Sequence, residues 1–246
     1  MTDKGVKNFY EKYHPDGINN PVADFMQKER CRVLKNLLKN ESGNILVVGC
    51  GSQNEMSIVN DETKATGIDI SEVAIKKARK QFPQFNFMVA DATKLPFDDK
   101  EFDCVVCSEV IEHIENRDKA LSEIKRVLKD GGTFIITTPN WWSWYGLARL
   151  IAEKLFSKPF TSGDQPIDNW SNPKSLKKEI SKAGFKIISF KGIWYHIPFG
   201  KGEKQMPYQL TLPLVKAFYP LDLFSGSILP CFGHMILIRS KNNYES

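Results

Sequence analysis

A doubly wound α/β fold, a mostly parallel sheet with helices on both faces, is what this chain predicts. Three observations carry that expectation. Apolar, β-branched runs alternate with helical stretches from residue 45 to about residue 140. The first run, Ile45 to Val48, ends in Gly49-Cys50-Gly51, where two glycines let the backbone turn tightly. Asp69 ends the second run, an acid at the tip of the next strand. A chain of 246 residues is long enough to bury a full core for one such domain.

Taken in order, residues 8–17 (NFYEKYHPDG) read as a lead-in to the first clear helix. Asn20 and Pro21 look like that helix's N-cap and first position. It runs to about Lys39, with Phe25, Val33, Leu34, Leu37 and Leu38 at helical spacing. Tyr10 and Tyr13 have two readings: packing aromatics, or a lid over a bound cofactor with Tyr13 as its contact. After the first strand and a short helix, Ala65 to Ile70 is the second strand. There Asp69 is either placed to accept from ribose hydroxyls or is a plain helix-entry acid. Ser71 caps a helix over 71–82, with Val73, Ala74 and Ala78 inward.

Asn86 to Ala90 is the third strand, and Asp91-Ala92 at its end would lie beside an adenine. Phe102 to Ser108 is the fourth strand, central by its apolar run. Asn116 to Lys129 is amphipathic, with Ala120, Leu121, Ile124, Val127 and Leu128 inward and Gly131-Gly132 as its stop. Thr133 to Thr138 is the fifth strand. The rhythm then breaks: 141–156 is a helix-like insert with an aromatic head. A helix from Ser171 or Asn172 with Pro173 to Ala183, closed by Gly184, leads into a sixth strand, Phe185 to Tyr195. Residues 196–232 are apolar and dotted with proline, Gly233 to Arg239 is a last strand, and the closing KNNYES is expected to fray.

Composition excludes some classes. Net charge is +5 with no long basic run, so nothing calls for a nucleic-acid partner. The charge-free run from Leu223 to Ile238 is too short for a membrane span. The first residues do not read as a secretory signal, and five cysteines, mostly in apolar strands, suit a reducing cytoplasm. Cys104 and Cys107 are three apart on a strand, so they point to opposite faces and read as core thiols.

Five segments, VVGCGS, TGIDIS, VADATKLPF, FDCVVCSEVIEHI and LKDGGTFIITTPN, together resemble the class I S-adenosylmethionine-dependent methyltransferases, of the type 11 kind. The likeness spans about residues 44–140, and SNPKSLKKEISKAGFKI extends it. It implies a seven-stranded Rossmann-like sheet with the last strand antiparallel between the fifth and sixth. It implies one domain: an N-terminal helical lid (1–43), a cofactor-binding core (44–140) and substrate-side insertions (141–172 and 196–232). It implies S-adenosylmethionine as cofactor and S-adenosylhomocysteine as product. Gly49, Cys50 and Gly51 would line the methionine part. Asp69 would hold the ribose with Ile70 against the adenine, Asp91 and Ala92 would read the adenine edge, and Ser108 and Glu109 would lie under the sulfonium. Two departures stand out: Val47 where the family often has an acid, for which Glu55 or a backbone carbonyl is the expected substitute, and Gln53 where it often has glycine.

Methyl transfer asks the protein mainly to align a nucleophile and exclude water. Glu109, Glu112 and His113 would share one helix face if a helix follows the fourth strand. His113 is then the candidate base or polar wall of the acceptor pocket. Metal-assisted O-methylation through the three is an alternative, short of one histidine ligand. Trp141, Trp142, Trp144, Tyr145, Trp170 and Trp194 suggest a greasy or ring-containing small-molecule or lipid-like acceptor, with O-methylation favoured. The apolar stretch 209–229 leaves open a lid, a homodimer face or a peripheral membrane contact. Two other function classes remain: a non-catalytic sensor that binds the cofactor, and a nicotinamide-dependent oxidoreductase. The second fits less well, because Gln53-Asn54 breaks the G-x-G-x-x-G fingerprint.

Overall fold

The computed structural model describes residues 3–13, 21–51, 55–143, 166–193 and 229–243, with short pieces at 146–147, 150–151, 154–155, 209, 212–213 and 216–217. Seven strands form one sheet: β1 (Ile45–Val48), β2 (Ala65–Asp69), β3 (Asn86–Val89), β4 (Phe102–Ser108), β5 (Leu128–Pro139), β6 (Phe185–Ile193) and β7 (Met235–Asn242). Their order is β3-β2-β1-β4-β5-β7-β6. β1 pairs in parallel with β2 and β4, and β7 runs antiparallel to both neighbours. The order reverses between β1 and β4, which opens a crevice at the carboxyl ends of those two strands.

Period-two alternation builds two cores. On one face Val47, Cys104, Val106 and Ile135 meet Leu34 and Leu38 of α2 (Pro21–Leu38) and Ile75 and Ala78 of α3 (Glu72–Gln81). On the other, Val105, Cys107, Phe134 and Ile136 meet Leu121 and Ile124 of α4 (Arg117–Val127) and Leu176 and Ile180 of α5 (Pro173–Lys182). Cys104 and Cys107 therefore do face opposite ways, each a buried free thiol. Fully burying a side chain such as Leu121 contributes about 2 kcal/mol. Caps set the helix starts: Ser71 accepts from Ala74 N–H, Asn116 from Lys119 N–H, and Asn172 from Ser175 N–H in a reciprocal capping box.

Some boundaries differ from the sequence reading. A helix, α1 (Asp3–Tyr13), occupies part of the expected lead-in. α4 ends at Val127, because β5 starts at Leu128 and carries Gly131 at φ +70° inside it; the glycine pair bends a strand instead of stopping a helix. β7 continues to Asn242, whose amide donates to the Leu128 carbonyl, so part of the expected frayed tail is tied down. Val73 is only half-buried, and Ile75 takes the inward place beside Ala74 and Ala78.

Candidate active site

The β1 turn and the β2 tip are stitched together. Gly49 has φ +67°, and a Cβ there would lie 2.1 Å from Val110 Cγ2, so only glycine fits. Gly51, at φ +59°, donates its N–H to Asp69 Oδ2 at 3.0 Å. Ser71 N–H donates to Asp69 Oδ1 at 2.9 Å. Two backbone donors thus fix the plane of this buried carboxylate at the end of β2. Cys50 turns its side chain into the core, where burial pushes its thiol well up; only its backbone belongs to the turn. Ile70 is half-buried beyond Asp69. Asp91, at the end of β3, accepts Thr93 N–H at 2.7 Å and so shapes its own loop, with Ala92 buried behind it. Gln53 lies outside the described residues.

At the β4 tip, the chain reverses at Glu109, a non-glycine residue at φ +56°, a conformation that costs about 1 kcal/mol or more. A single 3₁₀ turn, Ile111–His113, follows instead of the expected α-helix. The offset of three and four therefore does not place the acids and His113 on one helix face. They approach by the tight turn. Thr137 Oγ1 donates to Glu109 Oε1 at 3.1 Å and lies 3.0 Å from Ser108 Oγ. Ser108 is buried, so its hydroxyl faces β5. Thr138 Oγ1 donates to Glu112 Oε2 at 3.1 Å. Burial, then the neighbouring Glu112, pushes Glu109 up to about 8; burial, opposed by hydrogen bonds, pushes Glu112 up to about 7. His113 Nδ1 lies 2.8 Å from the Ile167 carbonyl, which can only accept, so Nδ1 carries the proton and Nε2 holds the lone pair of the neutral ring. Nε2 is 3.8 Å from Glu112 Oε1. Among the described residues, no three His, Cys, Asp or Glu side chains are grouped to hold a metal ion.

α1 crosses these strand ends. Its Tyr10 ring lies 5.9 Å from the His113 ring. One turn position on, Glu11 accepts from the Glu72 and Val73 N–H groups at 2.8 and 3.1 Å and from Ser71 Oγ at 3.2 Å, capping α3. The side chain of Tyr13 lies outside the described residues.

The segment after the insert is pinned against the 111–113 turn. Asn169 N–H donates to the Glu112 carbonyl, and Arg117 reaches Asn169, Ser171 and Glu179. Trp170 packs on Trp141 at 5.2 Å and edge-on to His234 at 5.8 Å, and its Nε1 donates to Asp168. Trp170 is buried, Trp141 half-buried and Trp142 exposed; Trp144, Tyr145 and Trp194 lie outside the described residues. Asn140, at the end of β5, joins this side to 231–233 through two carbonyls.

Sequence reasoning missed Glu11, Arg30, Thr137 and Thr138. The threonine pair at a strand tip was a visible signal. Glu55, one of the two expected stand-ins for an acid at Val47, is buried and accepts from Gln27 and Arg30. Val47 itself is buried among apolar neighbours. A cleft of about 570 Å³ opens at the opposite end of the strands, beside Leu128 and Asn242. Its walls are surface ion pairs, Lys100–Asp130, Arg126–Asp99 and Lys182–Asp118, and it is remote from the strand tips described above.

A family model described as Methyltransferase domain matches residues 46–136. An uncharacterized protein of Methanocaldococcus jannaschii is 31% identical over 209 residues, covering 80% of this chain and 91% of that protein. A demethylmenaquinone methyltransferase of Staphylococcus saprophyticus is 29% identical over 210 residues, covering 76% of this chain and 89% of that protein. A chain from the Haloferax volcanii complex of the Trm112 methyltransferase activator with a methyltransferase superposes with TM-score 0.64 at 18% identity, covering 96% of this chain and 98% of that one.

Proposed function

This chain belongs to the class I S-adenosylmethionine-dependent methyltransferases, and from that premise we propose that it methylates a hydroxyl of a small, apolar or ring-containing acceptor. The observation that carries the acceptor side is the packing of segment 167–171 on the 111–113 turn. That packing sets Trp141 and Trp170 on the same side as His113. The name of the Staphylococcus relative, which refers to a demethylmenaquinone, supports an apolar, ring-containing acceptor.

The residues at the strand tips suit the cofactor. The Gly49–Gly51 turn leaves a cradle that side chains would fill, and the fixed Asp69 carboxylate is an acceptor of the kind ribose hydroxyls need. In this reading the turn, with Cys50 contributing backbone, holds the methionine part. Asp69 and Ile70 hold the ribose and adenine, and Asp91 and Ala92 the adenine edge. Ser108 and Glu109 lie by the sulfonium end, and α1 closes over them. When bound, the cofactor supplies an electrophilic methyl carbon.

His113 then does the acid–base work. Its Nδ1–H is spent on the Ile167 carbonyl, which fixes the ring and aims the basic Nε2 away from that bond. Nε2 takes the acceptor's hydroxyl proton as the oxygen attacks. Tyr10 and the Trp170 segment exclude water from this spot. Replacing His113 with Ala should lower kcat about 100-fold, the usual size of a lost general base. Adenosylhomocysteine affinity should stay within about threefold, since adenosine is held elsewhere. Radiolabelled methyl transfer to a panel of phenols, quinols and polar amines tests the acceptor class. Turnover confined to polar amines, or an unchanged rate in H113A, contradicts the proposal.

A further inference from the structure

The chain leaving the end of β5 forms a surface that takes no part in holding the cofactor or in acid–base work. Asn140 donates through Nδ2 to the Cys231 and Gly233 carbonyls and accepts the Trp142 N–H at 3.0 Å. It thereby holds Trp142 beside the turn that carries Leu229 and Phe232, and all three side chains are exposed. Ser143 Oγ then accepts the Gly146 N–H at 3.0 Å and the Ser143 carbonyl accepts the Leu147 N–H, which starts a helix. Gly146 seats that helix: a Cβ there would lie 2.4 Å from the Trp141 carbonyl oxygen. Residues 147, 150, 151, 154 and 155 are helical, exposed and at the spacing of one face. That face carries Leu147, Leu150, Ile151 and Leu155 with one ammonium, Lys154, and no acid. Ile151 is 60% exposed and Leu155 72%. Among the described residues, seven of the ten exposed large apolar side chains lie in 142–155 and 229–232, so the exposure is concentrated, not scattered.

We propose that this surface docks the protein on an anionic lipid bilayer, lying in the headgroup region without crossing it. Exposed apolar side chains gathered in this way mark a contact surface. The charge pattern selects the partner. Leucine and isoleucine on one helix face, a tryptophan at its head and a cation without an acid suit the boundary between acyl chains and negative headgroups. Lys154 can reach lipid phosphates with its ammonium while its methylenes stay among the leucines. The net charge of +5 acts in the same direction. A second copy of the chain fits less well. A two-fold contact through this face would bring two Lys154 ammonium groups into one apolar interface, with no acid on the face to pair them. The surface adjoins the acceptor side, because Trp141, next to Trp142, packs on Trp170 at 5.2 Å. Docking therefore presents the acceptor side to the bilayer, from which an apolar acceptor is drawn; that use of the surface rests on the proposed acceptor.

Co-sedimentation with vesicles tests the docking, using phosphatidylcholine alone and phosphatidylcholine mixed with phosphatidylglycerol. At low salt the wild-type protein should partition about tenfold or more in favour of the anionic vesicles, and the preference should fall as salt rises. The double variant Ile151→Asp/Leu155→Asp should lose about tenfold or more of that partition, and Lys154→Glu should lose the preference for anionic over neutral vesicles. Because these side chains are exposed, melting temperature and adenosylhomocysteine affinity should stay at wild-type values, which separates lost docking from lost folding. Vesicle binding retained in the double variant, or none by the wild type, overturns the inference. So does light scattering that shows a wild-type dimer which the double variant splits, since the face is then a subunit contact. A long-chain phenol carried in anionic vesicles should be methylated about tenfold faster by the wild type than by the double variant, with equal rates on a water-soluble phenol. Equal rates on both phenols overturn the delivery role and leave the methyltransferase reading standing. Failure of adenosylhomocysteine to bind a wild-type protein that still docks overturns that reading alone.

Discussion

Glu109 and Glu112 hold protons at a pH where surface carboxylates have lost them, and that has two measurable consequences. Glu112 is 1% exposed and is pushed up to about 7, mainly by burial. A group whose folded pKa is raised favours the folded state below its unfolded pKa, and that contribution is lost as pH rises through the folded value. Glu112→Gln keeps an acceptor for Thr138 and removes the ionisation. Its melting temperature should match wild type near pH 4 and exceed it at pH 9, by an amount corresponding to about 3 kcal/mol. Equal pH profiles would contradict the assignment. Glu109, pushed up to about 8, meets the cationic end of the cofactor in the proposed site. A nearby cation favours its ionised form, so binding at pH 7 should release close to one proton. Calorimetry in two buffers of different ionisation enthalpy reads that number, and Glu109→Gln should abolish it. At this scale Asp69, Glu109 and His113 were legible, because strand ends are visible in one sequence. Arg30 was not: its partner Glu55 is 25 residues away, and nothing local marks a helical arginine as buried.

At the scale of elements, α1 shows what periodicity offered and what it concealed. Val6, Phe9, Tyr10 and Tyr13 recur at helical spacing, a signal that the reading of residues 8–17 as a lead-in did not use. The docking of α1 is a tertiary fact: Glu11 caps a helix 61 residues ahead. The Glu72 and Val73 N–H groups and Ser71 hold the Glu11 carboxyl below its ordinary value, against a burial contribution that alone would raise it. Because the folded pKa is lowered, the docking is complete above the unfolded carboxylate range and weakens as pH falls through the folded value. Glu11→Ala should cost about 1 kcal/mol, a typical cap, and speed amide exchange in α1 and the first turn of α3 while leaving α4 unchanged. Uniform protection across all three helices would contradict the docking. The turn after β4 was misread for a related reason. The left-handed backbone at Glu109 ends the strand so sharply that only a 3₁₀ turn fits before Asn116 starts α4.

For the whole molecule, the alternation of strand and helix made the parallel half of the sheet readable, from β1 to β5. The antiparallel insertion of β7 between β5 and β6 followed from family likeness, since no local pattern encodes which edge a last strand joins. The two apolar cores were legible because each strand alternates between them. The acceptor side was the least legible, because it depends on a segment more than fifty residues beyond His113 folding back on it. Among the described residues no helix is long and apolar enough to cross a membrane. The arrangement of the sheet converges on one claim: adenosine is held where β1 and β2 end, by the carboxylate that Gly51 and Ser71 orient. Titration of adenosylhomocysteine into wild type, Asp69→Asn and Asp69→Ala tests it most directly. Micromolar binding to wild type, with a loss of about 30-fold or more in both variants and unchanged melting in Asp69→Asn, is the predicted result. Equal affinity in all three proteins, or no binding to the wild type, would contradict it.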